Sequence, residues 1–300
     1  MDIFLQQIVN GLTIGSIFAL VALGYTMVYG VMKLINFAHG DMVALSAYVG
    51  LVLYGQFVGS GMPQAFIIIL VFGLTAIIIA TAGVILERLA YRPLRNAPRL
   101  SAVVSALGAS MMIQNGIMLY WGPNIMTFPT KIFPETSWVI FGVTITFIQA
   151  FMLILTIVLM IVLTLFINYT KYGTAIRASS INQDAAKLMG INVNMVIMMI
   201  FIVGAILGSV GGLFIGIYYR GIEFTLGWNY GLSAFIAAIL GGIGNIPGSM
   251  VGGYLLGLFT ALIAGYVSSV WAEAFTYILL IIILIVRPTG ILGERVAEKV

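Results

Sequence analysis

Long apolar runs succeed one another along this chain, at Leu5–Met32, Met42–Val58, Gln64–Leu86, Leu100–Trp121, Phe147–Ile167, Met195–Ile217, Trp228–Gly244, Ser249–Val267 and Trp271–Val286. A hydrocarbon layer about 30 Å thick is crossed by about 20 residues of apolar helix. Inside it every backbone N–H and C=O must find its partner within a helix or a closed barrel. The alternating strands of roughly ten residues that a membrane barrel needs do not recur here in series. The runs therefore predict an all-α polytopic membrane protein with eight or nine transmembrane helices. Charge agrees: 7% of the residues are charged and 62% are hydrophobic, whereas a soluble domain carries roughly a quarter charged residues. Short connections such as GSGMP, GNIPGS and VSS separate the runs, as tight reversals require. No soluble domain or long linker intervenes, so residues 1–300 read as one transmembrane domain.

The basic residues give orientation. Arg88, Arg92, Arg95 and Arg99 form one cluster, Lys171, Arg177 and Lys187 a second, and Arg287, Arg295 and Lys299 a third. An even number of runs separates each cluster from the next, so all three fall on one side, and the positive-inside rule makes that side cytoplasmic. Counting back from Arg88 leaves the N-terminus outside and the C-terminus inside. The opening MDIFLQQIVNG has no basic n-region and no small-residue cleavage site, and reads as a retained span. The longest extramembrane piece, Gly122 to Thr146, then lies on the outer face. It holds Pro123, Pro129 and Pro134, and its tail alternates through Val139, Phe141, Val143 and Ile145, which predicts a small β-hairpin. The net charge of +4 marks topology rather than affinity for nucleic acid.

Several function classes are excluded by residues the chain lacks. With no cysteine and one histidine it has no disulfide, thiolate nucleophile or His/Cys metal site. No Gly-Lys dipeptide occurs, so there is no Walker A phosphate loop. The runs hold almost no ionisable groups besides His39, Asp41 and Glu273, too few and too scattered for a catalytic cluster. An ion-driven relay would have to work through His39 and Asp41 alone. Energy supplied by a partner fits this nearly uncharged interior better, and directs attention to the cytoplasmic loops. The 35 glycines crowd into segments such as GAILGSVGGLFIG and LGGIGNIPGSMVGG, where small residues allow membrane helices to approach closely.

The most polar long stretch is KYGTAIRASSINQDAAKLMGINVN, residues 171–194. Within it Ala185, Ala186, Leu188 and Met189 form an apolar patch, with Asp184 as the expected N-cap and Gly190 as the expected helix stop. Such a short amphipathic helix either lies on the lipid surface or presents a docking knob to a soluble partner. A second unusual stretch, KLINFAHGDMVALS, places Asn36, His39, Gly40 and Asp41 between two apolar runs. Asp41 is expected to cap the second run. Alternatively, or in addition, the chain unwinds at Asn36–Gly40 inside the protein and restarts at Asp41, as discontinuous helices beside a solute path do. A weak echo, with Asn245, Pro247 and Gly248 followed by Ser249-Met250-Val251, implies a second interrupted element.

The segments NGLTIGSIFALVALGYTMVYGVMKLINFAHGD, ERLAYRPLR, RASSINQDAAKLMGI, AAILGGIGNIPGSMVGG and RPTGILG, running from about Gln7 to the last residues, resemble the permease subunits of bacterial ABC importers for branched-chain amino acids, specifically the H-type of the two paired permeases. The resemblance implies a membrane machine in the bacterial inner membrane. This chain would pair with a paralogous second permease, two cytoplasmic ATPases would supply energy, and a periplasmic binding protein would deliver leucine, isoleucine or valine. It implies no cofactor, metal or catalytic residue. Permeases for urea and short amides look similar, and an ion-coupled transporter or a passive solute channel also fits the residues. In the family a cytoplasmic helix sits in a groove of the ATPase, which falls here on Arg177 to Gly190. Ala185 and Ala186 would let it seat closely, Leu188 and Met189 would give apolar contact, and Arg177 and Lys187 would lie at the rim. The family signature often begins Glu-Ala-Ala; this sequence has Asp184-Ala185-Ala186.

Overall fold

The computed structural model describes residues 2–95, 97–129, 132–140 and 142–293. The chain is almost wholly helical. α1 (Asp2–Met32), α2 (His39–Phe57) and α3 (Gln64–Leu86) come first, and α3 continues as a π turn (Glu87–Tyr91) and a 3-10 turn (Arg92–Leu94). After α4 (Arg99–Trp121) come three short strands, β1 (Met126–Thr127), β2 (Ser137–Ile140) and β3 (Val143–Thr146). α5 (Phe147–Tyr169), α6 (Lys171–Ile181), α7 (Gln183–Leu188) and α8 (Val193–Tyr219) follow. β4 (Gly221–Ile222), α9 (Leu226–Gly241), α10 (Ile246–Tyr266) and α11 (Ala272–Val286) complete the described chain.

Among the described residues six stretches are long and apolar enough to cross a membrane: Ile3–Met32, Gln64–Leu94, Leu100–Trp121, Phe147–Tyr169, Val193–Tyr219 and Ile246–Tyr266. α9 and α11 are apolar but shorter. α2 has 19 residues, and His39, Asp41, Ser46 and Gln56 lower its hydropathy. A polytopic helical membrane protein is thus the architecture.

α1 is the axis of the core, with Ile17, Ala19, Leu20, Val21, Ala22 and Leu23 fully buried. Lipid tails are as apolar as leucine, so hydrophobicity does not drive helices together in a membrane; close packing of small residues does. α1 and α10 lie antiparallel along such a seam. A methyl added at Gly11 would sit 2.7 Å from Leu258 Cα, one at Gly15 2.8 Å from Tyr254 Cα, and one at Gly253 would strike the backbone of Ala19. α8 crosses the opposite side of α1, also antiparallel, with Gly204 against Gly24 and Gly211 against Val21. α2 runs parallel to α8, since Gly208 meets His39 and Val43 while Leu213 meets Gly50 further along. The outer faces of α3, α4, α5 and α11 carry exposed Ile69, Met112, Ile154 and Ile285, the apolar rim a bilayer requires.

The outer loop contains the expected hairpin, β2 pairing antiparallel with β3 from Ser137↔Thr146 to Ile140↔Val143; Phe141 lies outside the described residues. The Gln6 side chain reaches the backbone N–H of Thr144 at 3.0 Å, fastening the start of α1 to it. β1 pairs with β4, Met126↔Ile222, a link between segments almost a hundred residues apart that no local pattern announces. Thr146 and Gln149 close a capping box at the start of α5.

Candidate functional site

The chain breaks between α1 and α2, over residues 33–38. Lys33 takes a left-handed φ of 54° just after α1 ends, and helix resumes at His39 rather than at Asp41 as the sequence implied. His39 packs between Gly24 of α1 and Gly208 of α8, edge-on to the Tyr25 ring at 4.8 Å. Gly24 lies seven residues before Val31, about 10 Å along α1 at the α-helical rise. α2 therefore starts well inside the molecule. Asn36 is buried, its Oδ1 accepts from the Tyr91 hydroxyl at 2.9 Å, and its carbonyl accepts from the His39 N–H at 3.0 Å. Tyr91 closes the π turn, a distortion that re-aims a side chain without ending its helix.

Asp41 is not a cap. The capping position is Ala38, which has no side chain able to accept a hydrogen bond, and Asp41 sits in the first turn. Its Oδ2 accepts from the Ser110 hydroxyl of α4, and its Oδ1 has no partner among the described residues. That oxygen faces the start of α9: a methyl added at Gly227 would sit 2.6 Å from it. Gly40 packs on the backbone of Gly227 and Gly231, so two helices begin face to face in the core. A cavity of about 40 Å³ lies between them, with Asp41, Tyr25 and Gly227 in its wall. The sequence offered Asp41 as a candidate but gave no signal for Tyr25, Ser110 or Gly227, which look like ordinary span residues.

The second interruption forms a separate corner. Asn245 caps α10 by accepting from the Gly248 N–H at 2.9 Å, and its amide donates to the Leu292 carbonyl at 2.8 Å. Pro247 occupies the first turn of α10, where its missing N–H costs nothing. Gly242 and Gly244 take φ values of 109° and 93°, and Gly241 and Gly248 meet backbone to backbone. The corner touches α1 through Thr26 and Ser249, which share a hydrogen bond. Asn245, Pro247 and Gly248 do not line the cavity beside Asp41.

In the segment 171–194, α7 is capped by Asn182, whose side chain accepts from the N–H groups of Asp184 and Ala185 at 2.9 and 3.0 Å. Asp184, the expected cap, instead pairs with Lys187 at 2.9 Å on the surface. Gly190 stops the helix at φ 82°, with its N–H on the Lys187 carbonyl and that of Ile191 on the Ala186 carbonyl. Leu188 and Met189 are 89% and 81% exposed, as is Ile181 at 87%, whereas Ala186 is only 3% exposed. Ala186 thus seats α7 on its own chain rather than in a partner. Arg177 is exposed on this segment, and its guanidinium also donates to the Ile167 carbonyl and holds the end of α5.

Two further ties bind this segment to the break. Gln183 donates to the Val31 carbonyl at 2.8 Å, one residue before α1 ends. Arg95 bonds both Asn194, at the start of α8, and Glu87, which is completely buried. Burial pushes the Arg95 guanidinium below its ordinary pKa, while Glu87 holds it up. Among the described residues no group of acidic or histidine side chains could hold a metal ion.

The family model described as branched-chain amino acid transport system / permease component matches residues 7–284. The chain is 41% identical to the high-affinity branched-chain amino acid transport system permease protein LivH of Salmonella typhimurium, over 99% of this chain and 98% of that protein. It is 40% identical, over the same shares, to the corresponding protein BraD of Pseudomonas aeruginosa. The ribose import permease protein RbsC of Escherichia coli is 31% identical over 30% of this chain. No solved structure matches.

Proposed function

Because the chain belongs to the branched-chain amino acid transport permease family, we propose that it is the membrane subunit of an ATP-driven importer that carries leucine, isoleucine and valine inward. The observation that supports this most is the continuous match across residues 7–284, which includes both the break and the 171–194 segment. The protein is a transport subunit and not an enzyme. It works with two cytoplasmic ATPases, a periplasmic binding protein and a paralogous second permease. Trp228 and Asn229, exposed at the level of the break, support the pairing, because an asparagine facing lipid is costly and a second permease would cover it.

In this reading α2, α9 and α11 complete nine crossings, with the N-terminus outside. The packing directions support it: α8 and α10 antiparallel to α1, and α2 parallel to α8. Arg295 and Lys299 of the third basic cluster lie outside the described residues. A single cysteine at Glu135 reacting only from the cytoplasm would refute this topology.

α7 transmits the ATPase movement. Leu188 and Met189 form its exposed knob, Asn182 and Gly190 fix its angle, and Gln183 ties it to the end of α1. Reconstituted with its partners, the permease should take up leucine only when ATP and binding protein are both present. Leu188→Glu with Met189→Glu should release the ATPases during purification and abolish uptake, while the permease itself stays monodisperse, since neither side chain packs in its core. Intact complexes with normal uptake would remove the coupling role from α7.

A further inference from the structure

Asp41 has more buried polarity than the fold uses. It is 3% exposed, yet among the described residues only Oδ2 has a partner. A buried carboxylate within a membrane core marks a functional position by default. His39 Nε2 also lacks a partner among the described residues, but it is packed against Gly24 and Gly208 and is not part of the cavity wall. Asp41 is different, because it is part of the cavity wall and its Oδ1 faces the first turn of α9.

The cavity has two polar poles and an apolar wall. One pole is the carboxylate, with the Tyr25 ring beside it. The other is the start of α9, where the aligned peptide dipoles present positive charge, and Gly227 there carries no side chain to screen it. The two poles are adjacent, and Ile35, Leu232 and Phe235 form apolar wall around the same cavity. Anion, electropositive helix end and aliphatic surface are the complement of an α-amino zwitterion with a branched hydrocarbon side chain. An ammonium on Asp41 gains charge-assisted hydrogen bonding and the faces of nearby aromatic rings, and a carboxylate suits a helix N-terminus.

We propose that this cavity is the contracted form of a mid-membrane waypoint for the transported amino acid, with its ammonium on Asp41 Oδ1, its carboxylate at the first turn of α9 and its side chain against Ile35, Leu232 and Phe235. The inference rests on the proposed import of branched-chain amino acids. At about 40 Å³ the cavity holds a water or two and no amino acid. Occupancy therefore requires residues 33–38 and the start of α9 to move apart. Phe37 and Trp228, both incompletely covered, stand at its edge, on the side where the second permease is placed. Ser110, bonded to the other carboxylate oxygen, is a positioning residue.

The chain has no cysteine, so Leu232→Cys puts a single thiol of this chain in the cavity wall. In vesicles containing the complete importer, its labelling by a small methanethiosulfonate is followed during ATP turnover, with and without L-leucine, by the mass shift of this chain. Leucine should slow the labelling roughly tenfold or more. Asp41→Asn in the same background should remove the protection and lower uptake about ten- to a hundredfold, the worth of one charge-assisted hydrogen bond, with the complex still purifying intact. Protection unchanged in Asp41→Asn overturns the proposal. Leucine uptake by the Asp41 chain without any protection overturns it as well, and this arm stands even where Asp41→Asn fails to assemble. Uptake that continues without ATP and collapses with the proton gradient makes Asp41 a relay and overturns it. A parent complex that moves no leucine at all removes the substrate reading and this waypoint with it, which separates that failure from uptake without protection.

Discussion

Asn36 through Val43 (NFAHGDMV) and Asn245 through Val251 (NIPGSMV) place similar residues in similar order, each between two long helices, yet they are held in opposite ways. The second closes on itself. Asn245 caps the next helix three residues on, Pro247 presets the first turn, and Gly241 and Gly248 pack backbone to backbone. The C-terminal turn adds backbone bonds from Ile291 to Leu240 and from Leu292 to Gly241, at 2.8 and 2.9 Å. The first borrows nearly everything. Its helix has no side-chain cap, Asn36 depends on Tyr91 from the extension of α3, Asp41 on Ser110 from α4, and the last turn of α1 on Gln183 from the cytoplasmic segment. A corner held by its own cap, its glycine contact and a single C-terminal turn keeps its shape when the other helices shift. A break satisfied by three separate elements follows them, and it is also the one beside the cavity.

The largest effect should come from forcing the local corner. A side chain at Gly248 would overlap the Gly241 carbonyl, and backbone cannot yield as a flexible side chain can. Gly248→Val should cost more than about 4 kcal/mol, the range reserved for severe steric or burial defects, and leave little monodisperse protein after extraction. Normal yield with an unchanged melting temperature in detergent would show that the corner is pliable, and the contrast between the two interruptions would fall.

A smaller effect is expected at the borrowed break. Tyr91→Phe removes the donor from Asn36 Oδ1, a buried acceptor, at about 1–3 kcal/mol. It leaves the ring in place against Phe201, so packing changes little. Melting should fall modestly while ATP-driven uptake falls much further, because the link between the break and the extension of α3 is gone. Equal, small losses in both would make Tyr91 an ordinary core residue.

Much of this was legible in the sequence, for identifiable reasons. Lipid imposes a length and a polarity on every spanning helix, so the runs, the polar 171–194 segment and the outer hairpin stand out from composition and alternation alone. Glycine at the end of α7 announced its stop because only an unhindered residue takes φ 82° cheaply there. What stayed hidden depends on distant partners. Ala186 reads as part of an exposed patch because nothing local reveals that α7 lies against its own chain. Asp41 reads as a cap because an aspartate at a helix start usually is one, and only the approach of α4 and α9 shows otherwise. With Lys33 turning left-handed, the break starts three residues before the Asn36 that the sequence implied, and helix resumes two residues before Asp41.

The smallest expected effect is the sharpest test of the contrast, because it asks for function to survive. Asn245→Ala removes the acceptor for the Gly248 N–H and the donor to the Leu292 carbonyl. A lost cap costs about 1 kcal/mol. Water can replace the second bond, since Asn245 is only partly buried. Asn245→Asp keeps the cap but turns the contact with the Leu292 carbonyl into two facing acceptors, so it should recover only part of the melting temperature. Neither change touches the cavity wall or the ties running from α7 to α1, so leucine uptake per folded complex should stay near the parental value in both. A collapse of uptake in Asn245→Ala with about 1 kcal/mol of lost stability or less would place this corner among the moving parts. The two interruptions would then work as a pair across α1, joined through Thr26 and Ser249, and not as one hinge and one fixed corner.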